Sequence, residues 1–289
     1  MKCFDCPVKC GAERDEKVGA CKAPTDFIVS HVDLHQWEEP CISGEGGTLA
    51  VFFGGCNLNC IFCQNDVISH GARGRKLSFE QLWSIMAEYL PRANTVSFVT
   101  PSHYVRRLSE FLRLHKKDIA LPVVYNSSGY DDVEGLKLLE GLVDVYLPDF
   151  KYADSSLAYK YGARRNYPEV AKKALLEMLR QRPEVSFDTK GIMRSGVLVR
   201  HLVLPDCLDN TNEVMKTLAG INPDLYVSLM AQYFPAVEGL PYENLRRRLS
   251  EEEYEQAVEC FFEAGLTNGF SQELTSAEED FVPDFNLIR

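Results

Sequence analysis

The chain has 289 residues, 45% hydrophobic and 25% charged, which is enough apolar material for one large or two small cored domains and too much for extended disorder. Its 31 Lys and Arg are outnumbered by 42 Asp and Glu, and the net charge of -11 gives no bulk attraction to nucleic acid or to an anionic membrane surface. No stretch has the length of a membrane-crossing helix, and Met1 to Cys6 lack the apolar run of a secretion signal, so a cytoplasmic, reducing setting with no membrane partner is expected.

Residues 1–45 read as a lead segment rich in cysteine, glycine and charge, with little periodicity. The first predicted strand is Thr48 to Phe53, followed by a helix from Ser78 to Leu90. Ser78 and Gln81 fit a capping box, and Leu82, Ile85, Met86 and Tyr89 repeat at helical spacing. A second strand, Thr95 to Thr100, precedes a helix carrying Val105, Leu108, Phe111 and Leu112. Pro122 to Asn126 and Leu142 to Leu147 are the third and fourth strands, with helices at Val133 to Leu139 and Pro168 to Leu179. Val197 to Leu204 and Leu225 to Met230 complete the strands, with a helix near Asn212 to Leu218 between them. A last helix starts at Ser250, where Glu253 offers a second capping box, and is expected to bury Tyr254, Val258, Phe261 and Phe262. Arg246-Arg247-Arg248 is the densest basic run, but acidic residues follow it and it reads as a solvated face.

Six strand–helix units predict a parallel sheet with right-handed crossovers, either an open doubly wound sheet or a partial barrel. Periodicity alone does not separate the two. The unusual residues fall just beyond the strands: Gly54-Gly55-Cys56, Pro101-Ser102-His103, Ser127-Ser128-Gly129, Asp149-Phe150-Lys151, Pro205-Asp206 and Gln232-Tyr233. Active sites of parallel α/β proteins lie at those strand ends.

Eight of the ten cysteines fall within the first 63 residues, and in a reducing compartment they point to metal or redox chemistry before disulfides. Cys56, Cys60 and Cys63 form C-x3-C-x2-C on one short loop. A cubane [4Fe-4S] cluster has four irons, each normally held by one thiolate, so three local cysteines leave one iron open. Structural zinc usually takes four protein ligands, and a disulfide would leave one thiol over. Three unrelated buried cysteines at this spacing would be a coincidence.

This loop after a first strand, with aromatic Phe62 before the last cysteine, resembles the radical S-adenosylmethionine (SAM) superfamily. Several segments are more particular: Cys3 to Pro7, Glu38-Glu39-Pro40, Phe62 to Asn65, Leu147 to Tyr152, Tyr167 to Val170 and Val199 to Pro205. They resemble an uncharacterised branch related to pyruvate formate-lyase activating enzymes, over nearly the whole chain. The resemblance implies a partial (β/α)6 TIM-like barrel over 46–289 with a cysteine-rich N-terminal extension over 1–45. It implies an enzyme whose reduced cluster passes an electron to SAM, giving a 5′-deoxyadenosyl radical that takes hydrogen from a substrate. A one-electron reductant such as flavodoxin or ferredoxin and a glycyl-radical protein are the implied partners. The reading from a different class is a non-catalytic iron–sulfur electron-transfer or redox-sensing protein.

By the same resemblance, Thr100-Pro101-Ser102-His103 stands where a Gly-Gly-Glu segment commonly holds the SAM amino group, leaving backbone carbonyls and the Ser102 hydroxyl as acceptors. His103 reads either as ligand-facing or as the start of a helix. Asn126, Ser127, Ser128 and Asp149 are expected near the methionine end of SAM or a monovalent cation beside it. Lys151 and Arg200 suit a carboxylate, with a salt bridge at the barrel rim as the plainer reading. Of Arg200 and His201, one must face away from the barrel. Cys3, Cys6, Cys10 and Cys21 give C-x2-C-x3-C-x10-C, four thiolates for zinc or a second, closed cluster, with free thiols as the alternative. His31, His35, Trp37, Glu38 and Glu39 are further candidates for the substrate cavity.

Overall fold

A computed structural model describes residues 2–271; the last part of the expected barrel region, 272–289, lies outside the described residues. In chain order the first elements are β1 (Phe27–His35), α1 (Pro40–Ser43), β2 (Thr48–Phe53), α2 (Asp66–Ser69), β3 (Arg75–Leu77) and α3 (Phe79–Tyr89). Next come β4 (Thr95–Val99), α4 (Val105–His115), β5 (Val123–Ser127), α5 (Val133–Lys137), β6 (Val145–Pro148), α6 (Ser155–Lys160) and α7 (Tyr167–Gln181). The chain continues through β7 (Ser186–Phe187), β8 (Met193–Leu202), α8 (Leu208–Ile221), β9 (Tyr226–Met230), α9 (Glu251–Glu263) and β10 (Asn268–Ser271).

The six expected strands are β2, β4, β5, β6, β8 and β9, hydrogen-bonded in that order and all parallel. They curl into the partial barrel. Both capping boxes form: Ser78 with Gln81 on α3, and Ser250 with Glu253 on α9. The sheet is wider than six strands. β1 and β3 extend it antiparallel beyond β2, and β10 adds a parallel strand beyond β9. Part of the lead segment is therefore sheet, because Val32 and Leu34 alternate with His31, Asp33 and His35 in the strand pattern of period two. On α9 the buried face is Tyr254, Ala257, Cys260 and Phe261; Phe262 is 61% exposed, against expectation. One residue along a helix turns a side chain by about 100°, enough to move Phe262 off the face that Phe261 occupies.

Alternation along the strands separates two surfaces. Leu49, Val51, Phe53, Val96, Phe98, Tyr125, Tyr146, Val199 and Val227 belong to the main core, together with α3, α4, α7 and α8. Their neighbours line the barrel interior. At its lower end, Val124, Val145, Leu147 and Leu198 pack around Cys41 and Ile42, so α1 plugs the barrel. The Thr95 hydroxyl ties that plug to the wall by donating to the Ile42 carbonyl at 2.9 Å. The upper half of the interior is left open and polar.

Candidate functional site

The three-cysteine loop leaves the top of β2 through Gly54-Gly55. Gly55 holds φ 87°, and a Cβ there would come within 2.5 Å of the Cys21 carbonyl, so the lead segment seats directly on this turn. Beyond it the loop is pinned to its surroundings. The Asn57 amide donates to the Tyr130 carbonyl at 2.8 Å, and the Asn59 and Ile61 N–H groups donate to Gly162 and Tyr161, each at 3.1 Å. Phe62 is buried, edge-on to the rings of Tyr161 and Tyr233 at 6.1 and 5.8 Å.

Cys56, Cys60 and Cys63 are free thiols on the wall of one cavity of about 200 Å³, and no fourth cysteine lines it. Burial pushes all three thiols up, Cys60 to about 12, with Lys151 pulling the other way. A buried thiol with a raised pKa stays protonated until a cation displaces the proton, which is how metal ligands behave before loading.

Opposite the thiols, five side chains from four segments form one network. The Arg200 guanidinium donates to Asp149 at 3.0 Å, to Glu38 at 3.0 Å and to the Asn126 side-chain oxygen at 2.6 Å. The Asn126 amide donates to the other Glu38 oxygen at 2.9 Å, and Lys151 pairs with Asp149 at 2.5 Å. Burial pushes the Asp149 carboxyl up, but Lys151 and Arg200 outweigh it and hold the pKa below the usual range. Glu38 moves upward, because burial and Asp149 outweigh Arg200. Arg200 thus takes the acceptors that the resemblance offered to a monovalent cation. The rim pairing is part of the cavity wall, since Asp149, Lys151 and Arg200 all line it, with Lys151 close enough to the thiols to lower their pKa values.

The strand tips around this network are fixed from outside. The Tyr167 hydroxyl accepts from Lys151 N–H at 2.9 Å and lies within 3.0 Å of the Ser128 and Asp149 carbonyls. Gly129, at φ 74°, admits the close approach of β5 and β6; a Cβ there would stand 2.0 Å from the Asp149 carbonyl. Thr100 holds φ 54°, a costly conformation for a β-branched residue, and donates its N–H to the Asn126 carbonyl at 2.8 Å. That strain sits on the cavity wall, with Ser128, whose buried hydroxyl has no hydrogen-bond partner.

Of the residues singled out from sequence, Phe62, Thr100, Asn126, Ser127, Ser128, Asp149, Lys151 and Arg200 line the cavity with the three cysteines. The Ser127 hydroxyl itself is spent on Asp131 at 2.7 Å. Ser102 and His103 are not on the wall. His103 is buried behind the loop, donating Nε2–H to the Gly54 carbonyl at 3.0 Å, and burial with Arg14 beside it lowers its pKa to about 3. His201 faces outward, between the Phe150 carbonyl at 2.8 Å and the Thr211 hydroxyl at 3.0 Å, and burial lowers it to about 4. His35, Trp37 and Glu38 do reach the cavity, as do Gln232, Tyr233 and Phe234 after β9. Glu38, a candidate for the substrate cavity from sequence, lines it as a central member of the charged network, a pairing that sequence did not indicate. Its signal was the pair of adjacent acids, Glu38 and Glu39, shortly before the first parallel strand.

The four lead cysteines gather elsewhere. Burial raises the Cys6 thiol to about 12, and Cys21, Cys3 and Cys10 each add to that shift. Arg14 reaches into the group, with Nη1 3.8 Å from the Cys3 sulfur and 2.7 Å from the His103 carbonyl. Among the described residues no three His, Cys, Asp or Glu side chains are drawn close enough for a single metal ion. The loop trio shares the wall of one cavity. No described helix is long and apolar enough to cross a membrane.

Residues 50–193 match the family model of the radical SAM superfamily. An uncharacterized protein of Methanocaldococcus jannaschii, MJ0674, is 30% identical over 265 residues, covering 89% of this chain and 73% of that protein. A candidate glycyl-radical enzyme activating enzyme of Haemophilus influenzae is 28% identical over 114 residues, 38% of this chain and 43% of that one. The fold is similar to that of methylornithine synthase, with a TM-score of 0.52 and 18% identity over 76% of this chain and 63% of that one. It is likewise similar to Streptococcus suis SuiB bound to S-adenosylmethionine, with a TM-score of 0.53 and 12% identity over 77% of this chain and 49% of that one. The chain belongs to the radical SAM superfamily, whose membership implies a [4Fe-4S] cluster and SAM.

Proposed function

We propose that this chain is an enzyme in which Cys56, Cys60 and Cys63 hold three irons of that cluster and the cavity beside them takes SAM on the fourth. The observation that carries this reading is a cavity ringed by three free cysteines with no fourth. A closed electron-transfer cluster needs that fourth thiolate. When bound, the cluster supplies one electron to SAM, whose cleavage gives methionine and a 5′-deoxyadenosyl radical able to take a hydrogen atom from a substrate.

The protein's part is binding, aim and exclusion of water. Lys151 and the Thr100 and Ser128 positions offer donors and acceptors to the amino acid end of SAM. Asp149 orients Lys151, and Arg200 with Glu38 and Asn126 keeps Asp149 ionised and fixed. Phe62, clamped between Tyr161 and Tyr233, sets the loop and shields it from solvent.

A peptide or protein substrate ranks above a small metabolite, because the sheet stops short of closure and leaves a lateral opening. Activation of a glycyl-radical protein is the specific form of this reading, and the partial relative from Haemophilus influenzae supports it. A flavodoxin- or ferredoxin-type protein would supply the electron. Cys3, Cys6, Cys10 and Cys21 would hold zinc or a second cluster and so staple a lead segment with little core of its own.

Anaerobic reconstitution with iron and sulfide, reduction by dithionite and addition of SAM tests the assignment. It should give methionine and 5′-deoxyadenosine in equal amounts. Intact SAM after full reduction would refute it.

A further inference from the structure

A second, larger cavity of about 1170 Å³ lies beside the thiol-lined one. It is lined on one side by the connection that follows β1 and on the other by Phe270 of β10. Glu45, Asn94, Lys190 and Ile192, which lead into β2, β4 and β8, complete the lining, so this cavity runs along the open seam beside β10 and down to the lower end of the barrel next to the α1 plug. Trp37, Glu38 and Gln232 line both cavities, so the seam leads to the proposed site of radical chemistry.

The wall of the seam carries a buried acid with one bare oxygen. Glu39 is 4% exposed, and its Oε2 atom has no hydrogen-bond partner. Ser228, fully buried on the same wall, also has an unpartnered hydroxyl. Its hydroxyl is close enough to lower the Glu39 pKa as a donor would, yet neither it nor Oε2 has a well-formed hydrogen bond. Glu38, next in sequence, has both oxygens bonded, to Arg200 and Asn126. Glu39 has no such ion pair, and burial together with Glu38 raises its pKa to about 7 against the pull of Arg200. A buried acceptor without a donor is costly, and it is retained where a ligand completes it. At the outer rim, exposed Glu45 and Lys190 oppose each other in charge, so the acidic character belongs to the deep end.

We propose that the seam cavity binds the substrate and that Glu39, with Ser228, receives a cationic nitrogen group of that substrate, an ammonium or a guanidinium. Such a group gives Oε2 its missing donor and restores the carboxylate in one contact. Trp37, half-exposed between the two cavities, offers an aromatic face beside the approaching cation. Held there, a C–H bond near the cationic group is presented across Glu38 and Gln232 to the thiol-lined cavity. The inference rests on the radical reading for its purpose, but the binding it predicts is measurable without it.

The test is calorimetric titration of the full chain with three matched peptides, acetyl-Gly-Lys-Gly-amide, acetyl-Gly-Arg-Gly-amide and acetyl-Gly-Gln-Gly-amide, at constant ionic strength. The wild type should bind the lysine and arginine peptides at least about tenfold more tightly than the glutamine peptide. Glu39→Gln should abolish the preference, and Ser228→Ala should reduce it, with thermal unfolding reporting whether each variant is folded. Equal affinity for all three peptides would overturn the proposal, as would a preference unchanged in Glu39→Gln; if that variant does not fold, an unchanged preference in Ser228→Ala would overturn it. SAM cleavage by the wild type is measured in parallel. Cleavage without discrimination removes only the seam proposal, whereas discrimination without cleavage removes the radical reading and leaves the seam standing.

Discussion

The molecule carries two groups of cysteines within its first 63 residues, and they sit in opposite kinds of surroundings. The loop trio faces a cavity, with Lys151 among its neighbours and a charged network across the gap. Of the lead quartet, Cys3 stands beside Arg14, Cys21 seats on the Gly55 turn and Cys10 is exposed, and none of the four lines that cavity. A site meant to react keeps a vacant position and room beside it, whereas a structural site closes on itself. Three thiols beside a cavity fit the first description, and the second is the role proposed for the quartet.

The largest effect that would break this contrast is loss of cysteine. Replacing Cys56, Cys60 or Cys63 singly with alanine should eliminate SAM cleavage. Cys6→Ala should release metal and lower thermal stability while measurable cleavage persists. If Cys6→Ala abolishes cleavage in a folded protein whose SAM-responsive cluster is intact, the quartet is an electron relay and the contrast fails.

Next in size is the network that faces the trio. Arg200→Met leaves Glu38 without its ion pair and Asp149 with Lys151 alone, and should cost about 3–5 kcal/mol in denaturant unfolding. Asp149→Ala should raise the Kd for SAM about tenfold with iron content unchanged, a loss expected for one buried charge-assisted contact. Unaltered SAM affinity would make Asp149 a structural rim residue. Gly129→Ala should destabilise by more than about 1 kcal/mol, since the position combines positive φ with a carbonyl at 2.0 Å from the added carbon.

The smallest effect is one of pH. Glu39 is raised from 4.5 to about 7 in the fold, so between those values the folded chain holds a proton that the unfolded chain has lost. Its contribution to stability is therefore greatest at low pH and declines as pH rises through that window. Melting curves from pH 5 to 7.5 should show this decline in the wild type and a flatter profile in Glu39→Gln. Parallel profiles would mean that Glu39 is compensated by a partner.

Much of this was legible in the sequence because parallel strands buried on both faces read as apolar runs, and strand ends are marked by glycine and polar residues. The cysteine loop was legible because its chemistry is local. Arg200 and His201 show where reading stopped. Either could face the barrel, and only the register of β8 against β6 and β9 put Arg200 inside and His201 against α8. β1 was missed because its alternation lies inside a segment dominated by cysteine and charge. Ser102 lies off the cavity wall, and of the two readings of His103 the helix start holds, because the turn after β4 directs it back beneath Gly54. The pairing of Glu38 with Arg200 spans 162 positions, a separation at which spacing carries no information.

Low-temperature electron paramagnetic resonance of the reduced, reconstituted protein, recorded with and without SAM, tests the central claim most directly. An open iron predicts a reduced-cluster signal whose g-values shift on adding SAM and which disappears when Cys56, Cys60 and Cys63 are all replaced. A signal indifferent to SAM, or one that survives loss of all three cysteines with its SAM response intact, would contradict it.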